Sequence, residues 1–161
     1  MENLDEFNNK VKDTDYSNYR NNFKDNYTFL EKYCKENHKD KNVHSCLPQN
    51  FNFINEVEIY EKTKKLVDLE YIKDNNFGFN VNPTVQKSTD LLREVFANQE
   101  NRNVNQVELN KSLFQILKQV RDNLTHDGKF ELEENQFNRN YEITKISSEM
   151  TDLIINKLSN K

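Results

Sequence analysis

Glycine and proline are nearly missing from this chain, whose 161 residues include only two of each. β-Sheets and their turns use both residues freely, whereas the interior of an α-helix disfavours them. Leu, Ile, Val and Phe still recur along the chain, mostly three or four positions apart, which is the spacing of one helix face. The sequence therefore predicts an all-α protein, an up-and-down bundle of about five helices in a single domain over residues 1–161.

The apolar spacing also places the helices. Residues 1–12 are polar and are expected to fray, and an aromatic-faced helix of roughly 20 residues follows over 16–34. The stretch 36–50 is dense in charge and Asn, which predicts a helix end and then a loop. Four more helices are predicted at about 52–74, 85–97, 107–125 and 141–158, with Gly78 as a C-terminal cap. A polar connection, in the form of a loop or an extended hairpin-like arm, is expected over 130–140.

Charge and cysteine usage limit the classes of protein. The net charge of −4 excludes a strongly basic nucleic-acid binder, so any RNA contact must come from a few placed cations. The start of the chain lacks the basic flank and apolar core of a signal peptide, and no apolar run approaches membrane-spanning length. Two cysteines in an acidic, helix-rich chain indicate reduced thiols, so we expect a cytoplasmic protein without a membrane partner.

One segment, Gln119–Lys129, brings an arginine and a histidine to the end of the fourth predicted helix. Arg121 carries a forked cation suited to a phosphate, and His126 titrates near neutral pH. RNA can be cut by attack of its own 2′-hydroxyl on the adjacent phosphorus, which needs charge relief and proton transfer but no metal. We therefore expect Arg121 to engage phosphate and His126 to act as acid–base, without a cofactor.

The spacing constrains how these two groups can meet. Arg121 and His126 lie about 140° apart around an ideal helix, so in a straight helix they diverge. They meet if the helix unwinds near Gly128, or if two copies of the motif share one cleft across a twofold axis. Asp122 precedes His126 by one helical turn, where its carboxylate would orient the imidazole and favour the protonated form.

The alternative interpretation of this segment is a solvated helix end. Arg121 would then pair with Asp122, with Glu131 or with a carboxylate of a neighbour. His126 would be a cation that caps the helix C-terminus. An arginine and a histidine at this spacing do not decide between the two interpretations without their context.

The run Val120–Lys129 resembles the signature of HEPN domains (higher eukaryotes and prokaryotes nucleotide-binding): Arg, a polar residue, a few more residues and His, often followed by Gly and Lys. The resemblance covers about residues 85–158 and is sharp only within this run. It implies that Arg121 and His126 are the catalytic pair and that Asp122 tunes the site. It further implies a metal-independent endoribonuclease, active as a homodimer, in a bacterial toxin–antitoxin or phage-defence system.

The resemblance also bears on binding and partners. Asn123, Thr125 and Lys129 are expected to contact RNA, and an antitoxin or another defence-complex protein is the expected protein partner. One HEPN branch carries a Tyr two residues after the His, which a partner nucleotidyltransferase modifies, but Gly128 stands at that position here. Some HEPN domains lack activity, so the alternative function is an inactive helical module that binds a protein partner or a nucleotide.

A second cluster holds zinc-ligand residue types within a short stretch: Cys34, His38, His44 and Cys46. All four side chains can bind zinc, but their spacing matches no zinc-finger pattern. We favour a buried Cys34 and solvated histidines, with a zinc site as the alternative. Two lysine runs (Lys32, Lys35, Lys39 and Lys41; Lys62, Lys64 and Lys65) predict solvated faces, with contact to an RNA backbone as the alternative. An aromatic stripe (Tyr16, Tyr19, Phe23 and Tyr27) predicts core or dimer interface, with stacking on bases as the alternative.

Overall fold

The computed structural model of the chain describes residues 4–39, 42–50, 52, 56–76, 83–97, 105–125 and 134–159. Within these residues the protein is all-α, with six helices and no strand. The helices are α1 (Leu4–His38), α2 (Val43–Asn50), α3 (Val57–Asn76), α4 (Pro83–Ala97), α5 (Gln106–Thr125) and α6 (Glu134–Ser159). The predicted all-α bundle is therefore confirmed, with one helix more than expected.

The helices pack in a closed order. α6 lies between α1 and α3, α4 lies between α3 and α5, and α2 covers α5 and touches α1. Tyr19 contacts Tyr141 and Asn26 contacts Asp152, so α1 and α6 run parallel. Ion pairs and one ring contact show that α3 runs antiparallel to both α6 and α4: Lys62–Glu149, Lys157–Glu56, Arg93–Asp68 and Tyr60–Phe96.

α5 is the central helix of the core. Ser112, Leu113 and Phe114 are all buried although they are consecutive, so more than one face of this helix is covered. A helix that packs on several sides belongs to the interior of a bundle, whereas a surface helix buries one stripe. α5 contacts α2, α4, α1 and α6, and Val120 is its last fully buried residue before the end of the helix.

α1 is longer than its aromatic face predicts, because it begins at Leu4 and spans 35 residues. It contains no Gly or Pro, so nothing in its sequence interrupts a rod of roughly 50 Å. Its end is marked by Lys39, which takes a positive φ of 57° just after His38. This left-handed residue closes the helix in the way that glycine usually does.

Two asparagines hold α1 against α6. The Asn22 side-chain amide donates to Ser148 Oγ at 2.6 Å and to both Asp152 oxygens. The Asn26 amide donates to Thr151 Oγ1 at 3.0 Å and to Asp152 Oδ1 at 2.8 Å. These contacts fix the rotation and the axial position of α1, and therefore also the positions of the residues that follow Asn26.

Two segments predicted without helix are helical. The predicted loop before residue 50 contains α2, whose residues Val43, Cys46 and Leu47 are buried and share one face. Pro48 lies inside this short helix. The predicted connection over 130–140 is likewise wrong from Glu134 onward, where α6 begins. Carboxylates at 133 and 134 favour a helix N-terminus, and Arg139 is buried against the bundle.

The remaining boundaries are close to those predicted, although α3 begins at Val57 rather than near residue 52. The proposed cap at Gly78 lies outside the described residues. Among the helices that the structure describes, none is long and apolar enough to cross a membrane.

Candidate functional site

Arg121 lies one turn before the end of α5, at the edge of the core. Its neighbour Val120 and the preceding-turn residue Leu117 are buried, so the backbone at this point is held by packing. The Arg121 side chain lies against α1 and is 25% exposed. A buried helix thus carries one partly accessible cation to the surface between α5 and α1.

Three groups from the described part of the chain contact the Arg121 guanidinium. Its Nε donates to Asp122 Oδ1 at 2.9 Å, and its Nη1 donates to Glu31 Oε1 at 3.0 Å. Its Cζ lies 4.6 Å from the centre of the Tyr27 ring, which is a cation–π contact. Tyr27 and Glu31 are one turn apart on α1, so a single face of α1 supplies both groups. We call these four residues (Tyr27, Glu31, Arg121 and Asp122) the Arg121 cluster.

The charges of the Arg121 cluster do not cancel. One guanidinium faces two carboxylates, which gives a formal charge of −1. Both carboxylates are partly solvated, with side chains 42% exposed for Glu31 and 39% for Asp122. A phosphate that approached this cluster would therefore compete with two anions for the same cation.

Tyr27 contributes its ring to this cluster and does not act there as a proton donor or acceptor near neutral pH. Burial raises the pKa of Tyr27 above its usual range, and Glu31 and Asp122 add to the rise. The positive charge of Arg121 acts on this pKa in the opposite direction but does not overcome burial. The phenol consequently stays neutral and serves as a flat support for the guanidinium.

The other predicted site residues are distributed as follows. Asn123 Oδ1 accepts a hydrogen bond from the Gln119 amide at 2.8 Å, one turn earlier on α5. Thr125 is the last residue of α5. His126 and Lys129 lie outside the described residues, so the expected meeting of His126 with Arg121 or Asp122 stays a prediction. Asp122 itself is turned toward Arg121, as the solvated-end interpretation expects.

Glu31 is the site residue that sequence reasoning missed. A one-turn spacing from Tyr27 places it on the aromatic side of α1, which is readable from the sequence. What is not readable is that this side of α1 meets the end of α5, 90 residues further along the chain. The alternative had named Asp122, Glu131 or a neighbour's carboxylate as partners of Arg121. The structure confirms the pair with Asp122, and Glu131 lies outside the described residues.

The Cys–His cluster does not assemble. Cys34 and Cys46 are both buried in the apolar core, and the His38 ring packs on Tyr33 with a centroid distance of 5.8 Å. Among the residues that the structure describes, no group of three or more potential ligands could hold a metal ion. The structure therefore gives no support to the zinc alternative for Cys34, His38, His44 and Cys46.

The described lysines of the two runs are exposed or ion-paired, and part of the aromatic stripe lies in the core. Lys64 and Lys65 are exposed, and Lys62 forms an ion pair with Glu149 at 2.7 Å. Phe23 and Tyr27 are buried in the core, so this part of the stripe is not available to stack on bases. Lys32 and Lys35 of α1 and Lys39 just after it are exposed, and Lys41 lies outside the described residues.

Comparison with protein-family models, with curated proteins and with solved structures finds no match to this chain. The resemblance to HEPN domains therefore rests on the sequence motif over residues 120–129 and stays an expectation.

Proposed function

We propose that this protein is a metal-independent endoribonuclease of a bacterial toxin–antitoxin or phage-defence system, acting in the cytoplasm. Arg121 engages a phosphodiester of the RNA and His126 moves protons. The observation that carries the proposal is the position of Arg121. A buried helix delivers a partly exposed guanidinium, contacted by Tyr27, Glu31 and Asp122, five residues before the histidine of the motif. A cation fixed in this way loses little freedom when it binds a phosphate.

The proposed chemistry uses the RNA's own 2′-hydroxyl as nucleophile. A base removes the proton of the 2′-hydroxyl, and the 2′-oxygen attacks phosphorus. The bond between phosphorus and the 5′-oxygen of the next nucleotide breaks as an acid gives that oxygen a proton. The products are a 2′,3′-cyclic phosphate and a 5′-hydroxyl. Arg121 stabilises the negative charge that grows on the phosphate oxygens, and His126 serves the proton transfers. Asp122 orients the guanidinium through its Nε, and Asn123, Thr125 and Lys129 are proposed to contact the RNA.

Two copies of the chain are proposed to share one cleft. Arg121 lies against α1 of its own chain, whereas an ideal helix would direct a residue five positions later about 140° away from it. A twofold arrangement would allow the His126 of one copy to approach the Arg121 of the other. A homodimer is thus part of the proposal, and an antitoxin or defence-complex protein is the partner that would restrain it.

A second candidate is an inactive helical module that binds a protein partner or a nucleotide. The specific observation that favours it is the pairing of Arg121 with two carboxylates, which is also what a structural latch between α1 and α5 requires. In that case Arg121 is needed for stability and for no chemistry.

RNA cleavage by the purified protein in the presence of a chelator separates the two candidates. Arg121→Ala and His126→Ala are each expected to abolish cleavage while the helical circular-dichroism spectrum is kept. Arg93→Ala is the matched control, because Arg93 also pairs with a carboxylate at the surface, Asp68, at 3.6 Å. Cleavage at the wild-type rate in both motif variants would exclude this site. A protein that cleaves nothing, but whose stability falls on Arg121→Ala, would be the inactive module.

A further inference from the structure

The ion pair between Glu31 and Arg121 joins α1 to α5 at the place where the proposed RNA phosphate must bind. The two residues are 90 positions apart, and the bond of 3.0 Å uses Nη1 of the guanidinium. A carboxylate oxygen and a phosphodiester oxygen accept the same N–H donors in the same fork geometry. A carboxylate oxygen of Glu31 can therefore accept from Arg121 the same hydrogen bond that a phosphodiester oxygen of the RNA would accept.

We propose that Glu31 occupies, in the RNA-free protein, the position on Arg121 that a phosphodiester oxygen takes when RNA binds. The inference rests on the proposed function and names a regulatory contact within the same site. RNA then binds by exchange, since one anion replaces another on a cation that stays in place. Glu31 acts as an internal competitor and does not take part in the reaction.

A phosphate can displace Glu31 from the Arg121 guanidinium more easily than it can displace Asp122. Asp122 is the next residue to Arg121 on the same helix and bonds Nε, so it moves with the guanidinium and does not block the Nη1 side. Glu31 belongs to a different helix, its side chain is 42% exposed, and water can replace Arg121 as its partner. An ion pair with this exposure is weak, so substrate can break it.

The Tyr27 contact keeps the guanidinium positioned after the exchange. The Arg121 Cζ lies over the Tyr27 ring, whereas the carboxylates bond the N–H groups of the guanidinium. Loss of Glu31 therefore leaves the ring and Asp122 in place. The substitution Glu31→Gln also raises the formal charge of the Arg121 cluster from −1 to 0, and the less negative cluster favours an incoming phosphate.

The test compares Glu31→Gln with Glu36→Gln. Both substitutions remove one negative charge from α1, but Glu36 is exposed on a different side of the helix. Affinity is measured by fluorescence anisotropy with a short 2′-O-methyl RNA, which cannot be cleaved, and KM is measured with the unmodified RNA. Glu31→Gln is expected to lower the dissociation constant and KM about two- to sixfold, the factor by which a weak internal pair reduces the competent fraction. Glu36→Gln is expected to change neither by as much as twofold.

The double variant Glu31→Gln/Arg121→Gln shows whether the gain acts through Arg121. With no cation to compete for, Glu31→Gln is expected to bring no gain in the Arg121→Gln background. Equal gains in the two glutamate variants, or a gain that persists without Arg121, would show a general charge effect and overturn the proposal. Unchanged or weaker binding by Glu31→Gln would overturn it as well. If the wild type cleaves RNA and only this comparison fails, the proposed function stands without the internal competitor, whereas a wild type that neither binds nor cleaves RNA refutes both.

Discussion

The Glu31–Arg121 contact leads to a prediction about folding stability that does not depend on any activity. The prediction concerns a double-mutant cycle with Glu31→Gln, Arg121→Gln and the double variant. If the contact stabilises the fold, Glu31→Gln must cost more free energy of unfolding when Arg121 is present than when it is absent. The difference between the two costs is the coupling energy of the pair.

The structure sets the size of this coupling. Two unit charges about 4 Å apart interact by about 1 kcal/mol in water and about 4 kcal/mol at an effective dielectric constant of about 20. The side chains are 25% and 42% exposed, so solvent screens the pair and the lower value is the better guide. We expect a coupling of about 0.5–1 kcal/mol. Arg121→Gln alone is expected to cost about 1–2 kcal/mol, because it also removes the Asp122 pair and the contact with Tyr27.

Urea unfolding followed by circular dichroism measures each corner of the cycle. The slope of the free energy against urea should stay constant across the four proteins, since none of the substitutions changes the buried core. In thermal melts, a loss of about 1 kcal/mol corresponds to about 2–4 °C for a chain of this size. The coupling is expected to shrink at about 1 M salt, where charges are screened beyond about 3 Å. A coupling indistinguishable from zero at low salt would refute the pairing, and the internal-competitor proposal with it.

Two further predictions test the helix that sequence analysis missed and the ring beneath Arg121. Leu47 is fully buried on α2, so Leu47→Ala is expected to lower the free energy of unfolding in urea by about 2–5 kcal/mol. Ser45 is half-buried, and Ser45→Ala, as the control, is expected to lower it by at most about 0.5 kcal/mol. A loss below about 1 kcal/mol for Leu47→Ala would mean that α2 does not pack on the core. Burial holds the pKa of Tyr27 above its unfolded value near 10, so the folded protein retains the phenol proton to higher pH than the unfolded chain does. The contribution of Tyr27 to folding stability is therefore complete below about pH 10 and falls as the pH rises further. Tyr27→Phe keeps the ring and removes the ionisable group, so urea unfolding between about pH 8 and pH 11 should show a smaller alkaline loss than in the wild type; equal losses would contradict the assignment.

Helices with a strong apolar rhythm could be predicted closely from the sequence. The fourth and fifth helices of the structure, α4 and α5, begin within two residues of their predicted starts and end where expected. α2 was missed because polar residues and Pro48 hide its short apolar face of Val43, Cys46 and Leu47. The start of α6 was missed because its first turns are polar, and apolar spacing carries no signal there.

The candidate site divides in the same way. Arg121 and Asp122 are adjacent in the chain, so their pairing could be foreseen as one alternative. The approach of Glu31 and Tyr27 could not, because it depends on the rotation and axial position of α1. Those are set by the hydrogen bonds of Asn22 and Asn26 to α6.

What the sequence alone determined is therefore local: an all-α chain, the spans of its strongly periodic helices, and a cation placed near the end of α5. What only the tertiary structure decided is which helix faces that cation, and with it the −1 charge of the Arg121 cluster. The physical reason lies in the range of the forces. Helix periodicity and capping act within a few residues, whereas the partner of a charge 90 positions away is chosen by the burial of whole helix faces against one another.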